Sequence, residues 1–448
     1  MTGSDLTSQP RPRGGVPVWL PPLPVAAGTV AAALLVAWSA AEYARALASV
    51  GARGTDFAQY YVAARMTLSH GWAAPYDVAG FMSTLHALTG ARDAYANLPA
   101  PTALAIPLTR LPLGPAYAVW NTVLVGGFAA ASWAAAGGRG WERVLQLLAG
   151  LAAFQVLSAV GLGQLALAAG ALVVLHWWLL RGCADGQRRE IRRPGGPDPG
   201  AVRPGGDPLR TAGCAYGVLP TEDRGSQPRR WAAWAAEIRR CLSAHPLSGR
   251  PVLAGVALGL AFVKPQDVFL VPLALLMAGR TRAALAGLAA GAAVGGACLA
   301  VLCPDGLHRY LQTVAFEMDH MQAGRYTVAA ALGGGVPARA LAVAPALLVA
   351  LLAAVAGRRA RDRGPERPIV AGVLASQLAT PYLNGADLAL LVPCAWLTLR
   401  SRPPRWVAWV AVGVNFVPFL QDEPLRIVTV GLQLVWLGAL ALWRPRVE

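Results

Sequence analysis

GTDFAQYYVAARMTLSHGWAAPYD, residues 54–77, is the stretch from which the rest of the chain is read. It follows a long apolar run and carries Asp56, the adjacent Tyr60 and Tyr61, Arg65, His70 and a Pro75-Tyr76-Asp77 turn. Residues 57–68 hold no Gly or Pro, so they can form a helix with Thr55 or Asp56 as its N-cap. Asp56 then sits where the helix dipole and free backbone N–H groups stabilise a carboxylate. In isolation this is a capping aspartate on a surface helix. Its surroundings argue for more.

The 448 residues are 55% hydrophobic and 14% charged, with a mean hydropathy of +0.45. Soluble domains carry about 25% charged residues, so the chain reads as an all-α polytopic membrane protein. The net charge of +16 does not point to nucleic acid. It is spread as short Arg clusters between apolar runs, the pattern of cytoplasmic loops. Lys264 is the single lysine. The six Cys form no C-x-x-C pair and no metal-ligand spacing, so neither a disulfide framework, nor a metal, nor any other cofactor is expected.

Outward from 54–77, the apolar runs organise into about twelve transmembrane helices with short external helices between them. A first helix, about 25–44, is too long for a signal-peptide core, is read as retained, and delivers 54–77 to the outer face. A short external helix is expected at 78–88. Five prolines between 97 and 115 deny that segment a clean span and place it against protein in the outer leaflet. Spans follow at about 115–136, 143–160 and 165–181, with the last two joined through Gly161-Leu162-Gly163-Gln164 at the outer mouth. Gln164 is either glue between helices or a substrate contact.

Residues 182–250 are the one sizeable polar insertion. Within it 185–230, rich in Gly, Pro and Arg, is expected to be disordered and cytoplasmic, and 231–242 to lie as an amphipathic helix on the inner leaflet. The whole of 1–448 is otherwise one membrane domain. The apolar run 252–282 is broken by Lys264-Pro265-Gln266-Asp267. A single crossing would leave Arg280 and Arg282 outside, so the positive-inside preference makes it a hairpin with Lys264 at its tip. A span at 283–302 leads to an outer loop, 303–327, and one at 338–357 returns. A second hairpin, 369–399, turns at 380–387, and helices at 406–421 and 426–443 close the chain. Both termini then lie inside.

Every mixed polar cluster of this topology falls on the outer face: 54–77, 264–267, 305–325 and 380–387. Ionisable groups at membrane depth are costly and mark function by default. Gly333-Gly334-Gly335 lacks the Lys-Ser/Thr of a phosphate-binding loop. There is also no H-E-x-x-H, no telling Ser/His pair and no D-x-D in the outer loops. An enzyme working there takes a substrate that is already activated and arrives through the lipid.

Asp56-Phe57-x-x-Tyr60-Tyr61-x-Ala63-Ala64-Arg65-x-x-Leu68, followed by Pro75-Tyr76-Asp77, resembles the opening signature of glycosyltransferase family 87. Further matches come in order: Pro107-Leu108-x-x-Leu111-Pro112 with Trp120, Gly163-Gln164, and the run from Ala254 to Lys264-Pro265. The resemblance extends over about 25–400. It departs at Leu98-Pro99-Ala100-Pro101, where an aromatic-Pro-Pro is usual, and at Thr380-Pro381-Tyr382, which lacks the usual histidine. It implies the bundle of the type C glycosyltransferases (GT-C fold), whose members here are mannosyl- and arabinosyltransferases. It also implies a polyprenyl-phosphate sugar as donor, a lipid or glycan acceptor, and a site on the outer face of a bacterial inner (plasma) membrane, in contact with membrane lipids.

In that family the aspartate matching Asp56 is the expected catalytic base, and one carboxylate suits an inverting displacement. Lys264 either snorkels to headgroups or holds the donor phosphate as a point charge. Arg325, His320 and Arg65 are further candidates for that task. Tyr60, Tyr61 and Tyr76, with Asp77 and Gln164, are candidates for sugar or acceptor contacts. His176 and His245 are most simply structural. A secondary transporter or lipid flippase is the alternative, since twelve spans with broken hairpins suit one; related halves and midplane charges, which it should show, are not evident. An inactive scaffold subunit stays open.

Overall fold

The computed structural model describes residues 56–138, 140–191, 250–320, 326–331, 343–361, 363–416 and 423–443, with Leu34, Ala37, Trp38, Ala41 and Ala44 helical ahead of them. The expected disorder at 192–230 and the amphipathic helix at 231–242 lie outside the described residues. Among the described residues the protein is all-helical, with no strand. In chain order the helices are α1 Asp56–His70, α2 Val78–Thr89, α3 Pro99–Ala105, α4 Leu113–Ala135, α5 Trp141–Leu151, α6 Phe154–Leu162 and α7 Ala166–Ile191. After the insertion come α8 Arg250–Ala261, α9 Val271–Met277, α10 Thr281–His320, α11 Val328–Ala331, α12 Val343–Arg359, α13 Glu366–Ala379, α14 Leu391–Arg400, α15 Arg405–Gly413 and α16 Glu423–Leu442.

Two of these, Leu113–Ala135 and the Thr281–Glu317 part of α10, are long and apolar enough to cross a membrane, or up to four if each bent pair is one span. The bent pairs are α5 with α6, at 55°, and α8 with the segment Pro265–Met277, at 120°. About twelve spans were expected, which is more than these residues carry at full length. The reason is breakage and burial. Prolines and glycines cut the apolar runs, and α13 and α14 lie inside the bundle, with Arg367–Leu378 and Leu391–Thr398 buried on every side. A helix apolar on every side is either enclosed by other helices or a membrane span, and these two are enclosed.

The break expected at Lys264 is present, and the 120° bend turns the chain back as a hairpin requires. Two boundaries move. The loop expected from 303 onward is helical to His320, with a kink at Cys303, whose φ is 54° and ψ 175°. Pro304 follows the kink, where a proline can open a helical turn because its missing N–H has no carbonyl to serve. Likewise α7 runs on to Ile191, so 185–191 is helical rather than disordered.

Close approach of helices comes from small residues. A Cβ on Gly255 or Gly259 of α8 would stand 2.8 or 2.9 Å from the backbone N of Gly287 or Gly291 of α10. This is the small-residue contact by which membrane helices pack without a hydrophobic force between them. Helix ends at one end of the bundle are closed by arginine. Arg400 donates to the carbonyls of Ala134, Ala135 and Ala136, at 3.0, 2.6 and 2.6 Å. Arg359 and Arg367 do the same for the last carbonyls of α16. A cation on these orphan carbonyls answers both their hydrogen bonding and the helix dipole.

Candidate active site

Helix α1 begins at Asp56, and residues Phe57–Ala64 are all buried. It is therefore an internal helix rather than a surface one, and Asp56 is held at its first turn by the packing of everything that follows. Phe57 stacks against Tyr117 and Trp120, at centroid distances of 5.8 and 5.3 Å, and Tyr60 lies 5.9 Å from Trp120.

The same aromatic residues grip the turn between α6 and α7. Trp120 Nε1 donates to the Gly163 carbonyl at 2.8 Å, and the Tyr117 hydroxyl reaches the carbonyls of Val160 and Gly161, each at 2.8 Å. Gly163 is left-handed, with φ 70° and ψ 35°, and Gln164 N donates back to the Ala159 carbonyl at 2.8 Å. These are the marks of a glycine helix cap. Glycine is needed twice over here, because a Cβ would also stand 2.7 Å from Phe57 Cβ. The turn is thus pressed against the start of α1, and Gln164, 3% exposed, faces Asp56.

Lys264 completes the group. Its ammonium donates to Gln164 Oε1 and to Asp387 Oδ1. It is buried and points inward, so it does not snorkel to headgroups. Asp387 is fixed in turn: its Oδ2 accepts from Asn384 N at 3.0 Å, and its carbonyl accepts from Gln377 Nε2 at 3.0 Å. Gln377 also approaches Asp267 Oδ1 at 3.4 Å. Asp387, Gln377 and Asp267 are fully buried, and Asp267 Oδ2 has no hydrogen-bond partner among the described residues. A lysine this enclosed persists because Asp387 pairs with it.

Asp56 is half-buried, leaving part of its surface open. Burial raises its carboxyl from the usual range to about 7; Lys264 opposes the rise, Asp387 and Asp93 add to it, and the Gln164 amide favours the ionised form. Asp93 is a further carboxylate on this side. It accepts from Gln59 Nε2 at 2.6 Å and from Ala94 N at 3.0 Å, and burial holds it above the usual range. A carboxylate near neutrality, beside a fixed amide and a paired ammonium, can accept a proton from a hydroxyl.

Asp56, Gln164 and Lys264 are therefore brought together, with Tyr60 buried beside them, where the Asp56 charge acts on its hydroxyl. The other described candidates have different surroundings. Tyr61 spends its hydroxyl on the Leu111 carbonyl and Tyr76 on that of Asn97, each at 2.8 Å. The Tyr76 ring packs between Tyr95 and Tyr310. Asp77 is exposed ahead of α2. Arg65 is exposed in a groove with His70 and Thr84, about 13 Å along α1 from Asp56 at 1.5 Å per residue. Arg325 and the side chain of His320 lie outside the described residues. His176 bonds the Ala254 carbonyl at 2.7 Å, joining α7 to α8.

Asp387, Asp267 and Gln377 were not foreseen as site residues. The turn at 380–387 was visible as polar, but nothing in the sequence pairs Asp387 with a lysine 123 positions earlier. Among the described residues no three His, Cys, Asp or Glu side chains gather to hold a metal ion.

The model of glycosyltransferase family 87 matches residues 232–381, a third of the chain. The match contains Lys264, Asp267 and Gln377, while Asp56, Gln164 and Asp387 fall outside it. No curated protein and no solved structure matches the chain. The family match agrees with the resemblance seen at Asp56–Leu68 and supports, in general terms, a membrane glycosyltransferase with a sugar donor and an acceptor.

Proposed function

With the family 87 match as premise, we propose that this chain moves a sugar, mannose or another hexose or pentose, from a polyprenyl-phosphate donor to a lipid or glycan acceptor. The reaction takes place on the outer face of the plasma membrane, and the twelve-span topology with both termini inside belongs to the proposal. The observation that carries it is Asp56: a carboxylate at the start of α1, raised by burial to about 7 and faced by Gln164 and Lys264.

The acceptor hydroxyl is too weak an acid to attack the anomeric carbon unaided. Asp56 takes its proton as the oxygen–carbon bond forms and the bond from carbon to phosphate oxygen breaks. One displacement at one carbon inverts its configuration. Lys264 acts first on Asp56, since two of its N–H groups are held by Gln164 and Asp387. Its third N–H is left for the leaving phosphate, whose charge grows through the transition state. Tyr60, buried beside Asp56, is the candidate for a sugar contact; Arg65, Arg325 and His320 are candidates for the rest of the donor.

A secondary transporter or flippase is the second reading, favoured by one feature: a bent helix pair with an ionisable residue at its break. Incubating the purified protein with radiolabelled polyprenyl-phosphate mannose, the arabinose analogue and a nucleotide sugar separates the two. Label should pass from a polyprenyl donor to a new lipid-soluble or glycan product with inverted configuration. Donor translocated intact, with no product, would sink the transferase reading.

A further inference from the structure

We propose that an arginine-lined pocket at the end of the bundle opposite Asp56 binds the phosphate of an anionic phospholipid headgroup. The pocket encloses about 450 Å³ and is lined by Arg143, Arg181, Arg250 and Arg400, with Trp177 as its inner wall and Trp178 and Leu253 beside it.

Its position follows from the helices that build it. Gln164 precedes α7 and Arg181 lies along it, about 25 Å away at 1.5 Å per residue. Arg250 opens α8, whose other end leads to Lys264. Asp387 leads into α14, and Arg400 closes it. Three of the helices next to the Asp56 cluster, α7, α8 and α14, therefore also bring an arginine to this pocket. That separation approaches the ~30 Å of a bilayer's hydrocarbon core, so the pocket sits at the opposite membrane surface.

The charges there are held in place. Arg400 is fixed by three carbonyls and lies 5.1 Å over the Trp177 ring, which Arg181 also approaches at 5.5 Å. Arg143 donates to the Trp133 carbonyl at 2.7 Å and lies 4.5 Å over its ring. Arg181 and Arg143 both repel Arg400, and Glu366 is the carboxylate that opposes them. Glu366 in turn accepts from Trp177 Nε1 at 3.1 Å. Four guanidiniums thus line a concave, partly apolar space, where a phosphate would accept charge-assisted hydrogen bonds.

The rim decides between a lipid and a soluble anion. Trp178, Leu253 and Leu175 are 59%, 48% and 43% exposed on the flank where acyl chains would run. Basic pockets between membrane helices on the cytoplasmic side take anionic headgroups for these reasons. A free phosphate would leave that apolar flank unused.

The test uses the full chain, delipidated in uncharged detergent. Phosphatidylglycerol, phosphatidylcholine and inorganic phosphate are titrated, with retained lipid counted by native mass spectrometry and Tm followed alongside. Phosphatidylglycerol should be retained and raise Tm, and phosphatidylcholine and inorganic phosphate should do neither. Arg250→Gln should weaken phosphatidylglycerol about fivefold, and Arg181→Gln with Arg250→Gln about thirtyfold, at roughly one factor of five per guanidinium. Arg309→Gln, at the exposed far end, should leave retention unchanged. Equal retention of both lipids, an equal response to inorganic phosphate, or an equal loss in Arg309→Gln would overturn the site. The single variant serves if the double one does not fold.

Discussion

Replacing Gly163 by Ala tests whether the α6–α7 turn positions the reacting group. A side chain in the left-handed region costs about 1–2 kcal/mol, and Gly163 has a φ of 70°. The added Cβ would also stand 2.7 Å from Phe57 Cβ and 3.2 Å from Tyr117 Cε2. Carbon atoms prefer about 3.5–4.0 Å, so the turn and α1 must part by about 1 Å. Asp56 is the neighbour of Phe57, and Gln164 the neighbour of Gly163; the shift falls between them. A displacement of about 1 Å can cost about 100-fold in rate. Gly163→Ala should therefore lose up to about 100-fold in turnover per folded molecule, with Tm lowered. Gly431→Ala, in α16 with open space around it, is the control and should match the parent. Transfer from labelled donor is measured on protein that passes gel filtration as a single peak. Parental turnover in folded Gly163→Ala would refute the claim that this turn sets the geometry.

Transfer should rise with pH through about 7 as Asp56 ionises, and two variants should move that limb in opposite directions. Lys264→Met removes the charge that lowers the Asp56 pKa and should shift the limb up; Asp387→Asn removes one that raises it and should shift the limb down. A limb unmoved in both variants would mean that another group titrates. Breaking the buried pair should also cost about 3–5 kcal/mol in either single variant, visible as lost Tm, while Lys264→Met with Asp387→Leu should regain most of it. Arg400→Ala strips the three carbonyls at the end of α4 of their donor and should lower Tm markedly, at about 1.5–3 kcal/mol for each hydrogen bond to a charged group. Cysteines placed at 78–97 should label from outside and those at 185–230 only from inside; the reverse would upset the charge argument behind the topology.

Much of the fold is legible in apolar runs and their interruptions. Lys264-Pro265 in a long apolar stretch marks a break because proline cannot serve the helix ladder there, and α1 and α2 follow from clean helical segments bounded by Gly and Pro. What the sequence could not convey is enclosure. Little in the apolar middles of α13 and α14, which are buried on every side, distinguishes them from helices that face lipid. Nor did Pro304 announce that the chain would resume as helix beyond it. The site divides the same way. Asp56, Gln164 and Lys264 could be singled out because each is a polar residue at a marked place: a helix start, a reversal and a break. Asp387 and Gln377 sit among other polar residues of a loop and a helix end, and their part depends on contacts with Lys264 and Asp267 across more than 100 positions. Tyr61 and Tyr76 have a structural use that the sequence does not reveal. Their rings suit a sugar face, and their hydroxyls bond backbone carbonyls.

The most direct measurement is single-turnover transfer by Asp56→Asn beside the parent, with donor affinity measured on the same preparations. Asparagine keeps the shape of the side chain and cannot accept the proton. Transfer should fall by about 10²–10⁴-fold, the range for a lost general base, while donor affinity stays within a few-fold. Near-parental turnover in Asp56→Asn would contradict the account, because the carboxylate at the start of α1 would then not be the base.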